Sequence, residues 1–267
     1  MGKNLKRSMR IPSPRLPSSK EIKLSLDEQK KFIYLSKIFS YIDKKNLLYF
    51  LKNNPIYLFE KIDIEKLLHR ISDKAILAPN FSNMKNSSLE EYHVCLKNKH
   101  QFLESTQSED VFLKYIHKIS NDISNTRIHI RKREIIAIPN ESGDYIIYPS
   151  HTEIKNGIKL ILYVIRNTNF FGPLLSANII LSSLLQIHPL TDCNGRTSRI
   201  IFNIFIMIFI NRNVFIPLLE ISKCSNNSFL FSIKEAQIFN EWSSINKFIN
   251  LSIQEVLIFN SDPNNLK

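Results

Sequence analysis

Residues 188–199 read His-Pro-Leu-Thr-Asp-Cys-Asn-Gly-Arg-Thr-Ser-Arg, and the run that follows, Ile200 to Ile210, is apolar apart from Asn203. A polar, turn-forming loop that passes into such a run predicts a helix beginning near Asn194 or Gly195 and ending near Asn211. The run is too short to cross a bilayer and is bounded by Arg199 and Arg212, so it reads as a buried helix. Upstream, Pro173 to Ile187 is dense in Leu174, Leu175, Ile179, Ile180, Leu184 and Leu185. That pattern predicts a second buried helix with Pro173 in its first turn. The loop therefore joins two core helices, and the fold is built around it.

The twelve loop residues hold an imidazole, a carboxylate, an amide, two guanidinium groups and a glycine, the equipment of a nucleotide phosphate site. Nucleotidyl transfer depends on in-line geometry and on neutralised oxygen charge. Backbone N–H groups at a helix N-terminus point at an anion, which makes Cys193, Asn194 and Gly195 a candidate phosphate cradle. Gly195 is one of only five glycines in the chain, and it lacks the Cβ that would hold a phosphate away. Arg196 and Arg199 lie three apart, share a helix face and carry permanent charge for the outer phosphates. Asp192 is the only carboxylate near the loop and is the candidate Mg²⁺ ligand, because a hard cation takes carboxylate oxygen while keeping waters and phosphate oxygens. His188 is the candidate base: an imidazole with a pKa near ~6.5 accepts a hydroxyl proton at neutral pH. The remaining histidines, His69, His93, His100, His117, His129 and His151, read as structural.

The chain resembles the Fic family, whose signature is H-x-F-x-[DE]-G-N-G-R-x-x-R. His188, Asp192, Asn194, Gly195, Arg196 and Arg199 match in register, while Leu190 stands for the family's Phe and Cys193 for its first Gly. The resemblance implies a mostly α fold, a Fic-type helical bundle with a small β-hairpin flap beside the active-site loop. It also implies a Mg²⁺-dependent protein adenylyltransferase with ATP as co-substrate, moving AMP onto a Ser, Thr or Tyr hydroxyl of a target protein. By the same resemblance Asn194 bonds the α-phosphate, Arg196 lies along the β-phosphate, Arg199 reaches the γ-phosphate and Leu190 packs inward.

Related Fic enzymes that transfer phosphocholine carry Ala at the position of Cys193. Another nucleotide or CDP-choline as donor is therefore one alternative, and a catalytically silent nucleotide-binding or scaffold Fic protein is another. Many relatives restrain themselves with a helix of pattern [ST]-x-x-x-E-[GN], whose Glu pairs with the last motif arginine. No Glu here is followed by Gly or Asn, and the stretch nearest in character, Ser72 to Asn80, has no Glu. The reading predicts no internal lock on Arg199, which leaves the enzyme unrestrained or controlled by a separate, antitoxin-like inhibitor protein.

Farther out, Ile135, Ile136 and Ile138 precede a turn-like Asn140 to Asp144, and Tyr145, Ile146 and Ile147 follow it. Apolar and β-branched runs around a Gly-containing turn predict a β-hairpin. It falls where the family keeps its target-positioning flap, and it could hold a target segment by strand addition. Glu153 to Arg166 reads as a helix and Glu241 to Ile258 as a closing one. Helical spacing also runs from Leu24 to Ser72, broken at Asn54-Pro55, with a turn-like hinge over Asn80 to Ser88. The division that results is a disordered basic tail over 1–20, an N-terminal helical segment over 21–97, the Fic domain over 98–260 and a short tail over 261–267.

A chain of 267 residues with 43% hydrophobic content can bury a sizeable core. Cys95, Cys193 and Cys224 are odd in number and lack metal-ligand spacing, which argues against a disulfide framework or zinc site. Half of the net charge of +12 equals the six cations of Met1 to Lys20, and no nucleic-acid-binding signature accompanies it. No specific nucleic acid and no transmembrane segment are expected. The implied location is the cytoplasm, or a host cell into which a bacterial effector is delivered.

Overall fold

The computed structural model describes residues 8–23, 86–136, 145–210, 215–219, 222 and 228–260. Most of the expected N-terminal helical segment, the stretch Ser72 to Asn80, Ile138 with its turn, and Cys224 lie outside the described residues. The fold is mostly helical. Its elements are β1 (Ser8–Arg10), α1 (Asn86–Asn98), α2 (Phe102–Ser105), α3 (Glu109–Ile123), β2 (Tyr145–Ile147), α4 (Ile154–Arg166), α5 (Thr168–Phe171), α6 (Pro173–Ile187), α7 (Asn194–Ile210), α8 (Ser228–Lys234) and α9 (Ser243–Asn260).

Helix α7 is the axis of the bundle, packed against α6, α1 and α3. Ile200, Ile201, Phe202, Ile204, Phe205 and Ile206 are all fully buried, as a helix apolar on every side requires. Its one interior amide is satisfied: Asn203 donates to the carbonyls of Arg199 (3.0 Å) and Ile216 (3.1 Å) and accepts from the Ile216 N–H (2.7 Å). Helix α3 is amphipathic. Ser108 caps it by accepting from the Val111 N–H, and it buries Phe112, Leu113, Tyr115, Ile116 and Ile119 against the core.

Pro173 opens α6 as its sequence position predicts, since its missing N–H has no helical acceptor there. Helix α4 crosses α6 closely because Gly157 has no side chain; a methyl there would overlap Ile187 Cγ2. Ile187 is the last residue of α6. The closeness of these two helices thus sets where the following histidine begins.

Residues 8–20 are not the free tail that their Pro and Ser content suggested. β1 pairs in parallel with β2, Ser8 with Tyr145 through Arg10 with Ile147, and the Ile11 N–H continues the ladder to the Ile147 carbonyl (2.9 Å). Ile11 is buried, Leu16 packs on the core, and Gln186 Nε2 donates to the Pro12 carbonyl (2.7 Å). A segment too poor in apolar residues to fold alone can still be held by a sheet edge and a few anchors. Among the described residues no helix is long and apolar enough to cross a membrane.

Candidate active site

The end of α6 creates the site. His188 takes a left-handed conformation (φ 47°, ψ 61°) and its N–H bonds the Leu184 carbonyl (3.1 Å). This is a helix stop usually given to glycine. A non-glycine residue there bears strain of about 1 kcal/mol, the kind of cost that persists where geometry serves a site. Nδ1 lies 3.2 Å from the Leu185 carbonyl. A carbonyl can only accept, so Nδ1 carries the proton and Nε2 the lone pair. The ring stacks on Tyr148, with centroids 3.9 Å apart and planes 24° from parallel. Burial pushes the His188 pKa below 6.5, and Arg131 lowers it further; the Leu185 contact and Asp192 act the other way.

Arg131, to which the sequence reading assigned no role, pins this turn. It is 3% exposed and donates to four carbonyls: His188 (2.7 Å), Arg133 (3.1 Å), Pro149 (2.5 Å) and Ile187 (2.9 Å). Its own N–H bonds the Pro189 carbonyl (3.0 Å), Ile130 pairs antiparallel with Leu190, and the Thr191 N–H bonds the His129 carbonyl (2.9 Å). The loop therefore leaves α6 as an added strand along residues 129–131. Leu190 packs inward with no exposed surface, as expected for the residue that replaces Phe.

The Asn194 side chain holds the loop closed. Its Oδ1 accepts from the Leu190 N–H and its Nδ2 donates to the Leu190 carbonyl, both at 2.9 Å. The amide is committed to closing the loop, because a buried polar side chain without partners is costly. Its backbone N–H, one of those at the start of α7 that have no helical acceptor, and the second hydrogen of Nδ2 are left for an anion. Asp192 is exposed, and one of its carboxylate oxygens accepts from the Cys193 N–H (2.5 Å).

Cys193 has φ 61° and is buried, so this chain places a non-glycine residue in the left-handed region here. Its sulfur receives Arg196 Nη2 (2.8 Å), and Arg196 Nη1 donates to the Ile123 carbonyl at the end of α3 (3.0 Å). Cys193→Gly is expected to hold stability within about 1 kcal/mol, because relief of about 1 kcal/mol of backbone strain is offset by the lost burial of the thiol. Cys193→Val, branched at Cβ, is expected to cost about 2 kcal/mol. Urea unfolding of both variants checks this, and equal stability of the two would refute it.

Arg199 is not free. Its Nη2 donates to Glu91 Oε1 (2.5 Å) and its Nε to Glu91 Oε2 (3.2 Å), a two-pronged pair with the carboxylate 2% exposed. The guanidinium lies over the start of α7, with Nη1 3.5 Å from where a Cβ on Gly195 would sit. The expectation of no internal lock is corrected: the lock is Glu91 on α1. The stretch Ser87-Ser88-Leu89-Glu90-Glu91-Tyr92 contains the Ser-x-x-x-Glu spacing, with Tyr where the pattern has Gly or Asn. Tyr92 is what sets this stretch apart from the family pattern.

The flap residues are brought beside this loop in part. Ile136 pairs antiparallel with Ile147, and the Tyr148 N–H bonds the Ile135 carbonyl (3.2 Å). Tyr145 and Ile146 lie in β2, whose other edge is taken by β1, while Ile138 and the connecting turn lie outside the described residues. Among the described residues no group of three or more His, Cys, Asp or Glu could hold a metal. Asp192 alone fits a cation held mainly by substrate phosphates and water.

A model of the Fic/DOC family matches residues 107–206. No curated protein matches the chain in sequence. Among solved structures it is similar to a Fic domain containing signaling protein from Bacteroides thetaiotaomicron, 14% identical at a TM-score of 0.50, over 90% of this chain and 94% of that one. It is also similar to a Fic family protein from Desulfovibrio desulfuricans G20, 13% identical at a TM-score of 0.52, over 92% and 74%. A segment of Fic-1 from C. elegans is 16% identical at a TM-score of 0.50, over 88% and 72%. At these identities the likeness carries the fold.

Proposed function

Because residues 107–206 match a model of the Fic/DOC family, we propose that the chain is a protein adenylyltransferase that moves AMP from ATP to a Ser, Thr or Tyr hydroxyl of a target protein. The observation that carries this reading is the orientation of His188: Nδ1 is bound to the Leu185 carbonyl, which leaves the Nε2 lone pair for a substrate proton. In the proposed reaction Nε2 accepts the hydroxyl proton and the oxygen attacks the α-phosphorus. The bond from that phosphorus to the bridging oxygen breaks, and pyrophosphate leaves.

The N–H groups opening α7 would face the phosphates, with Arg196 and Arg199 neutralising the outer ones. Asp192 would hold Mg²⁺, which when bound draws charge from the phosphate oxygens. The experiment is incubation of the chain with Mg²⁺, α-labelled ATP and a cell lysate, with AMP on a protein hydroxyl as the expected product. Transfer only from another nucleotide or from CDP-choline would reassign the donor. Nucleotide binding without transfer from any donor would favour a silent Fic module.

Glu91 holds the guanidinium that the outermost phosphate needs, so the enzyme as folded is restrained. Glu91→Ala is expected to tighten ATP binding about tenfold, about 1.4 kcal/mol, and to raise labelling accordingly. Titration calorimetry with ATP reads the affinity. No change in either quantity would show that the pair is structural only.

A further inference from the structure

A pocket of about 600 Å³ is lined in part by the segment that carries Arg131. Lys132 and Arg133 line it with exposed side chains, joined by the rings of His117 and His129, which stack at 6.3 Å. Its lining contains no carboxylate, and neither Lys132 nor Arg133 has an ion-pair partner among the described residues. The pocket touches the site at two points. Thr191 of the motif loop is in its wall, and Arg131, also in its wall, bonds the His188 carbonyl.

We infer that this pocket receives an acidic segment of the protein substrate, Asp or Glu residues flanking the hydroxyl to be modified. The inference rests on the adenylyltransferase reading and names a substrate class for it. Three observations favour a peptide. The volume lies in the range of about 300–1,000 Å³ that encloses molecules larger than a lone phosphate. The lining has Ile130 and Ile135 between the cations but no Phe, Tyr or Trp on which a single-stranded base could stack. Ile135 also bonds through its carbonyl to Tyr148, the residue stacked on His188, so a segment lying in the pocket leads toward the base. Opposite charge across such a contact selects partners and speeds encounter, and the net charge of +12 works in the same sense.

The test is fluorescence anisotropy of the full chain with a labelled peptide of alternating glutamate and serine, beside its glutamine counterpart, without nucleotide. The glutamate peptide is expected to bind at low salt and to weaken as salt rises. Lys132→Glu with Arg133→Glu is expected to reduce that affinity at least about tenfold, and the glutamine pair at the same positions to reduce it less. Both side chains are exposed, so neither pair removes core packing. Equal binding of the glutamine peptide, retained affinity in the charge-reversed pair, or stronger binding of a single-stranded oligonucleotide through the same two residues would each overturn the assignment. A chain that adenylylates but binds no acidic peptide refutes the pocket alone. A chain that binds the peptide through Lys132 and Arg133 yet transfers nothing refutes the reaction alone.

Discussion

His188→Ala is expected to reduce transfer of α-label by about 10²–10⁴-fold, the usual contribution of a positioned proton acceptor, while ATP still binds. In the proposed role the side chain bears on the chemistry, and being only half-buried it contributes little to the core, so the loss should appear in the rate of the chemical step. The wild-type pH profile gives an independent reading. Burial places the His188 pKa below 6.5, so the imidazole is neutral at pH 7, and the rate should be flat there and fall only below 6.5. The same protonation removes stability, because the unfolded chain takes up that proton more readily than the folded one and the difference is lost as pH falls from 6.5 through the folded value. A rate still rising with pH above 7 would contradict the assignment, as would a His188→Ala variant with full activity.

The second large effect belongs to Arg131. Removing its guanidinium deprives four carbonyls of a charged donor, and a buried polar group left without a partner costs about 1–3 kcal/mol. Arg131→Ala is therefore expected to lose about 3 kcal/mol or more of stability, a fall in Tm of roughly 6–12 °C for a domain of this size. Transfer should fall by about 10²-fold as well, because the turn that aims His188 loses its tie and small misplacements of a reacting group are costly. Lys at this position supplies one compact donor in place of a rigid fork and is expected to rescue little. Thermal unfolding and single-turnover rates measure the two effects separately. An alanine variant with unchanged Tm would show that water replaces the fork without loss.

The helices around the loop were legible because their signals are local. Pro173 marks the start of α6, the apolar run marks α7, and the match of His188 through Arg199 fixes what lies between them. The rest depends on partners far away in the chain. Arg131 sits among Arg127, Lys132 and Arg133, and nothing local separates a buried guanidinium from its exposed neighbours. Asn194 matched its motif position, yet its amide answers to Leu190, a geometric fact that residue type does not encode. Glu91 and Arg199 are 108 positions apart, and only the helix packing brings them together. The segment from Ser8 to Ile11 reads as unstructured by composition, and its order comes from β2, more than a hundred residues later.

That last pairing has a bearing on selectivity. A tethered competitor acts at an effective concentration of about millimolar, and Ser8–Arg10 is such a competitor for one rim of Tyr145–Ile147. A foreign strand seeking that rim must displace a neighbour that never diffuses away. Weak, generic backbone pairing is thereby filtered out, and only visitors with a further handhold can compete for a place beside the imidazole.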